Sequence, residues 1–202
     1  MAVVTIFLFA AVFEADVGEV PEARVQKMRG TTWHVGCPVP PEALRLVRLR
    51  HHGFDGEVHE GELIVHRAVA AATVEVFREL FERGYPIQRM VPASEYGGDD
   101  DRSMAANNTS AFNCRPVTGR GRGFSAHSYG RAVDLNPLYN PYVKGARVLP
   151  PAGKRWADRT RPHPSRIDAD GPVVRAFESR GFRWGGRWTR LKDYQHFERP
   201  LR

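Results

Sequence analysis

The sequence predicts an α+β domain, an antiparallel sheet with flanking helices, and three observations carry that expectation. Leu44 to Arg50 (LRLVRLR) alternates apolar and basic residues at period two, as a strand with one wet face does. Gly61 to His66 (GELIVH) follows across the turn His52-Gly-Phe-Asp-Gly56 and completes an antiparallel pair. From Arg67 to Arg83 the spacing becomes helical, so that Val69, Ala72, Val76, Phe77, Leu80 and Phe81 can share one face. Strands and one long helix in this order indicate segregated elements, with the polar loops gathered at one edge of the sheet.

The remaining elements follow in chain order. Met1 to Phe13 (MAVVTIFLFAAVF) is apolar but too short to span a bilayer, which needs about 20 residues. It has the hydrophobic core of a signal peptide without the basic start or the small-x-small cleavage site, and a first core strand is the alternative. Glu14 to Pro41 is mixed and polar, so residues 1–43 are expected to lead into a domain at 44–202. Gly84 ends the long helix and Pro86 prevents its return. Pro86 to Val91 (PIQRMV) is predicted as a third short strand. Gly97 to Gly123 is expected to be a loop, and a loop so long is commonly functional. Arg131 to Leu135 is a predicted strand, Pro137 to Pro172 a proline-rich loop region, and Val173 to Arg180 a short helix closed by Gly181. Phe182 to Trp188 and Tyr194 to Glu198 read as closing strands.

A chain of 202 residues fits one domain. Its net charge of +7 favours anionic partners, and half of its 30 Lys and Arg residues lie after position 140. Nucleic acid, anionic lipid and anionic wall polymer would all attract such a surface. No helix-turn-helix, RNA-binding or zinc-finger pattern is present, which argues against nucleic acid. Cys37 and Cys114 are too far apart in sequence for a local metal clip. They form one disulfide if the chain is exported, or two buried thiols otherwise.

Two segments carry chemistry. In Ser125-Ala-His-Ser-Tyr-Gly-Arg-Ala-Val-Asp134, a glycine between His127 and Asp134 lets the chain turn, and Asp134 falls on an apolar strand where a lone carboxylate is costly. A metal ion is one good partner for it. In Asp193-Tyr-Gln-His196-Phe-Glu198, a continuous strand would point Asp193 away from His196. Asp193 then faces the same site only from the strand's start or the preceding turn. Two histidine nitrogens and a carboxylate suit zinc and leave a fourth position for water.

The pattern Ser125-x-His127-x-x-Gly130-x-Ala132-x-Asp134, with an acidic residue three before a final histidine (Asp193 and His196), resembles the signature of the D-alanyl-D-alanine carboxypeptidase family. These are the VanY/VanX-like zinc peptidases, a group that includes endolysins cutting between L-Ala and D-Glu. Asn107 to Arg115, Asp134 to Pro141 and Gly181 to Gly186 add to the resemblance, which runs from about Gly61 to Glu198. It implies a Hedgehog/DD-peptidase type of fold, with one zinc ion on His127, Asp134 and His196. It further implies Asp193 as general base, Arg115 steadying the scissile carbonyl, and Ser125 binding substrate. The implied substrate is a peptidoglycan stem peptide, most simply cut as a D-alanyl-D-alanine carboxypeptidase, with an internal L-Ala–D-Glu cut or a silent wall-binding module as alternatives. A monomer outside the membrane, in contact with anionic wall polymer, is expected.

Each role has a simpler counterpart. Arg115 could pair with Asp99-Asp100-Asp101, Ser125 could cap a turn, and Asp193 could merely orient a zinc histidine. Glu198 could replace Asp193 as base. His34, His51, His52, His59, His66 and His163 are expected at the surface or in packing. Trp184 and Trp188 could stack on substrate, though covering the core is the expected role.

Overall fold

A computed structural model describes residues 11–117 and 123–200. Most of the apolar start, residues 1–10, lies outside the described residues. The elements run β1 (Ala15–Glu19), α1 (Glu22–Met28), β2 (Leu44–His52), β3 (Val58–His66), α2 (Arg67–Glu82) and β4 (Arg89–Met90). They continue with α3 (Asp100–Ala105), β5 (Asn108–Thr109), β6 (Ala132–Asp134), β7 (Tyr142–Lys144), β8 (Arg147–Leu149) and α4 (Pro172–Glu178). The chain ends with β9 (Arg183–Trp184), β10 (Lys192–Asp193) and β11 (His196–Glu198). Helix and antiparallel sheet are combined in one α+β arrangement.

Strands β1, β2 and β3 form an antiparallel sheet in that order. Both faces of β2 are buried, correcting the expectation of one wet face: Val47 and Leu49 enter the core under α2, Leu44 and Leu46 pack with Met28 and Phe112 on the opposite face, and Arg48 on that second face is exposed. Helix α2 starts at His66, whose ring accepts a hydrogen bond from the Ala68 amide at 3.1 Å. The helix buries Val69, Val76, Phe77, Leu80 and Phe81 against this sheet and α4, while Ala72 stays at the margin of the core. Phe77, Phe177 and Phe197 are buried together, and Phe177 stacks on Phe197 at 3.8 Å. This packing ties α2 and α4 to β11, which carries His196.

Four further expectations need correction. The polar lead-in is not shapeless, since β1 pairs with β2 along Ala15–Glu19 and α1 buries Val25 and Met28. The third strand shrinks to Arg89–Met90 because side chains take the backbone donors around it. Asn136 Oδ1 accepts from the Gln88 amide at 3.1 Å and Asn108 Oδ1 from that of Val91 at 3.0 Å. The stretch 97–123 is not one loop: Asp99 caps α3 by accepting from the Arg102 amide, and β5 pairs in parallel with β4. The closing strands are also shorter than expected: Phe182–Trp188 shrinks to β9 and Tyr194–Glu198 to β11, with a separate strand β10 just before it.

Cys37 and Cys114 form a disulfide with Cα atoms 6.0 Å apart, so the two-thiol alternative does not hold. The bond ties the segment after α1 to the residue before Arg115.

Candidate metal and active site

Ser125 to Asp134 is built to bring its two ends together. The Ser125 hydroxyl oxygen accepts from the His127 amide at 3.3 Å and caps a 3-10 turn over Ala126–Tyr129. Gly130 follows at φ +64°, a conformation that an L side chain resists. A Cβ there would also stand 2.6 Å from the backbone nitrogen of His66. The chain thereby reverses, and β6 runs back beneath the turn carrying His127. In the antiparallel ladder His196 lies directly across from Asp134, which sets their side chains next to each other.

The three side chains converge. His127 Nε2 is 3.1 Å from His196 Nδ1 and 3.2 Å from Asp134 Oδ2, and His196 Nδ1 is 3.0 Å from Asp134 Oδ1. All three residues are buried. Tetrahedral zinc with bonds of about 2.0–2.1 Å separates neighbouring ligand atoms by roughly 3.3 Å, close to all three spacings. The nitrogen and oxygen donors and their spacing therefore fit a zinc ion.

Each imidazole is oriented from behind. His127 Nδ1 lies 2.5 Å from the Ala111 carbonyl, to which it donates, leaving Nε2 as an acceptor. His196 Nε2 lies 3.2 Å from Glu198 Oε2, so Nδ1 is the nitrogen that faces the cluster. Burial opposes ionisation of Asp134, but the two imidazoles outweigh it and hold the carboxyl far below its usual value. Burial would lower the His196 pKa, yet Asp134 and Glu198 push it up to about 10.

Asp193 reaches the cluster because the strand breaks. Asp193 pairs with Tyr142 in one sheet, whereas His196 pairs with Asp134 in another, and Tyr194 and Gln195 form the bend between them. The two-residue alternation that would point Asp193 away is thus interrupted. Its Oδ1 is buried and has no hydrogen-bond partner among the described residues. Burial raises its pKa well above the usual carboxylate range, against the pull of the His196 imidazolium and with Asp134 adding to the rise.

Arg115, Ser125, His127, Asp134, Asp193 and His196 all line one cleft of about 890 Å³. Arg115 is ion-paired to Asp100 at 2.9 Å, the pairing with the acidic segment that the sequence left open. The Arg115 amide donates to Ser128 Oγ at 2.9 Å, and its carbonyl accepts from the Ser125 amide at 3.0 Å, which anchors it beside the turn carrying His127. Trp184 is buried, and its indole N–H donates to the Tyr194 carbonyl. Trp188 instead lines the cleft, 5.4 Å from the His196 ring.

Sequence reasoning missed the Ala111 carbonyl, for which no side-chain signal exists, and the place of Glu198 behind His196. The asparagines of the two flanking motifs are structural. Asn136 and Asn140 are fully buried, and their side chains hold Pro86, Gln88, Ser165 and Ile167. Of the other histidines, His51 is buried and His34 lies beside the disulfide.

No solved structure matches the chain. Residues 118–199, which contain the 3-10 turn, β6, β10 and β11, match the family model described as D-alanyl-D-alanine carboxypeptidase, with Arg115 just before the matched stretch. Through this segment, which carries His127, Asp134, Asp193 and His196 at the motif spacing, the chain is similar to the D-alanyl-D-alanine carboxypeptidase family of peptidases.

Proposed function

We propose that the chain is a zinc peptidase that hydrolyses amide bonds in peptidoglycan stem peptides, acting as a D-alanyl-D-alanine carboxypeptidase. The peptidase unit is taken as 44–202, working outside the membrane, with β1 and α1 of the preceding residues packed onto it. No helix among the described residues is long and apolar enough to cross one. The observation that carries the reading is the buried triplet His127, Asp134 and His196, with the Asp193 carboxylate in the same cleft.

His127 Nε2, His196 Nδ1 and an Asp134 oxygen would hold the zinc. When bound there, the ion supplies Lewis acidity, polarising the scissile carbonyl and easing deprotonation of water. Asp193 removes the proton from the attacking water and then gives it to the leaving amine. A carboxylate placed there can accept the proton and release it again. The guanidinium of Arg115, held by Asp100, steadies the negative charge that develops on the carbonyl oxygen. Ser125 meets the substrate only secondarily, since its oxygen already caps the turn under His127.

The test is mass spectrometry of a muropeptide carrying a full L-Ala–D-Glu–diamino acid–D-Ala–D-Ala stem after incubation with the zinc-loaded protein. Loss of one terminal D-Ala supports the carboxypeptidase. An internal cut reassigns the bond, and an intact stem with zinc bound sinks the peptidase reading.

A further inference from the structure

Outside the cleft, one cluster of metal-type donors has no part in the proposed chemistry. His34, Cys37 and Cys114 bring an imidazole nitrogen and two sulfurs within 4.8 Å of one another. His34 and Cys37 share the turn after α1, closed by the Cys37 amide donating to the His34 carbonyl at 3.1 Å. Two ligands separated by a few residues of loop are the common half of a structural zinc site. Cys114, remote in sequence, joins them only in the folded chain.

The imidazole is turned as a ligand. His34 Nδ1 donates to the Val35 carbonyl at 3.0 Å, so Nε2 carries the lone pair, and it lies 3.7 Å from Cys114 Sγ. A disulfide sulfur has no proton to give that nitrogen. On one tetrahedral zinc ion, an imidazole nitrogen and a thiolate stand roughly 3.6 Å apart, so this edge already has ligand spacing. The His34 amide donates to Cys37 Sγ at 3.2 Å, a hydrogen bond that strengthens when the sulfur is a thiolate. Only the two sulfurs must part, to roughly 3.8 Å.

The surroundings do not rest on the S–S bond alone. The Cys114 amide donates to the Thr32 carbonyl at 2.9 Å, and Met28, Trp33, Val39 and Phe112 pack in the same cluster. His34 is exposed and Cys37 half-buried, which gives a reductant and an ion a way in.

We propose that His34, Cys37 and Cys114 form a second metal site, created when the disulfide is reduced, that takes a thiophilic divalent ion of the zinc class. An external dithiol supplies two electrons and two protons to the S–S bond and leaves as its own disulfide. The ion then displaces both thiol protons and links the same two chain segments. The clasp beside Arg115 thus persists in reducing surroundings, with a metal in place of the covalent bond.

Cobalt(II) added to the full-length protein tests this independently of the peptidase reading. A thiolate-to-cobalt charge-transfer band in the near ultraviolet requires sulfur ligands, which His127, Asp134 and His196 cannot supply. Protein reduced with a phosphine, which takes oxygen from water as it opens the bond, should show this band, and oxidised protein should lack it. His34→Gln, at an exposed position, should weaken the cobalt affinity read from the band at least about 10-fold. Absence of the band in reduced protein overturns the proposal, as does an affinity that His34→Gln leaves unchanged. Near-ultraviolet circular dichroism is followed in parallel, and a native signal that is lost on reduction and not restored by cobalt overturns it too.

Discussion

The Glu198 carboxylate closes on the far nitrogen of His196 at 3.2 Å, two residues along the same short strand. It leaves Nδ1 of that ring as the atom facing Asp134 and His127. A carboxylate in this position fixes the ring's orientation and strengthens the opposite nitrogen as a ligand. Glu198→Ala should therefore weaken zinc binding by about 10- to 100-fold without unfolding the chain. Competition with a chelator measures this, and unchanged affinity would remove Glu198 from the support of the site.

Asp193 and Arg115 are assigned to turnover and not to metal binding. Asp193→Ala should keep its zinc yet lose about 10²- to 10⁴-fold in kcat. Arg115→Ala should lose about 10²- to 10³-fold in kcat with a smaller change in KM. Zinc content together with steady-state kinetics checks both, and full activity in the Asp193 variant would sink its assignment as base.

Gly130 sits where the backbone of the motif crosses β3, and its carbonyl accepts from the His66 amide at 2.7 Å. An added methyl would meet both the left-handed conformation and the His66 backbone. Gly130→Ala should cost at least about 1–2 kcal/mol, seen as a lower urea midpoint at unchanged slope. A midpoint equal to wild type would mean that the turn relaxes freely.

Glu79 joins the end of α2 to that of α4, accepting from Arg180 at 2.8 Å and Arg83 at 3.0 Å. Burial resists its ionisation, but the two guanidinium groups outweigh burial and hold its pKa below the ordinary value. A carboxyl depressed on folding adds stability above its unfolded pKa, roughly 4.3, and loses it as pH falls through the folded value. Glu79→Gln should thus be less stable than wild type at neutral pH, with the gap closing below about pH 4. Urea unfolding across that range decides it; a gap independent of pH would assign the effect to packing.

Local pattern alone marked β2, β3 and α2. The helical spacing of α2 arises from burying one face and the apolar runs of β2 and β3 from burial of the strands, both of which are written directly in residue type. It could not mark β1, α1 or β5, whose polar or very short segments are ordered by partners far away in the chain. Arg89 pairs with Asn108, for example, only because buried asparagine side chains hold that region. The motif spacings of His127, Asp134, Asp193 and His196 were visible in the sequence, although residue type and spacing left metal, packing and solvent roles open.

By itself the sequence determined the α+β class, the paired strands and the residues able to do metal chemistry, because burial patterns and donor types are local properties. Only the tertiary structure decided which atoms meet. The register that sets His196 across from Asp134, the sheet change between Asp193 and His196, and the Arg115–Asp100 pair all depend on contacts between distant segments. Such contacts are set by packing and backbone pairing across the whole chain, which no local stretch of sequence encodes.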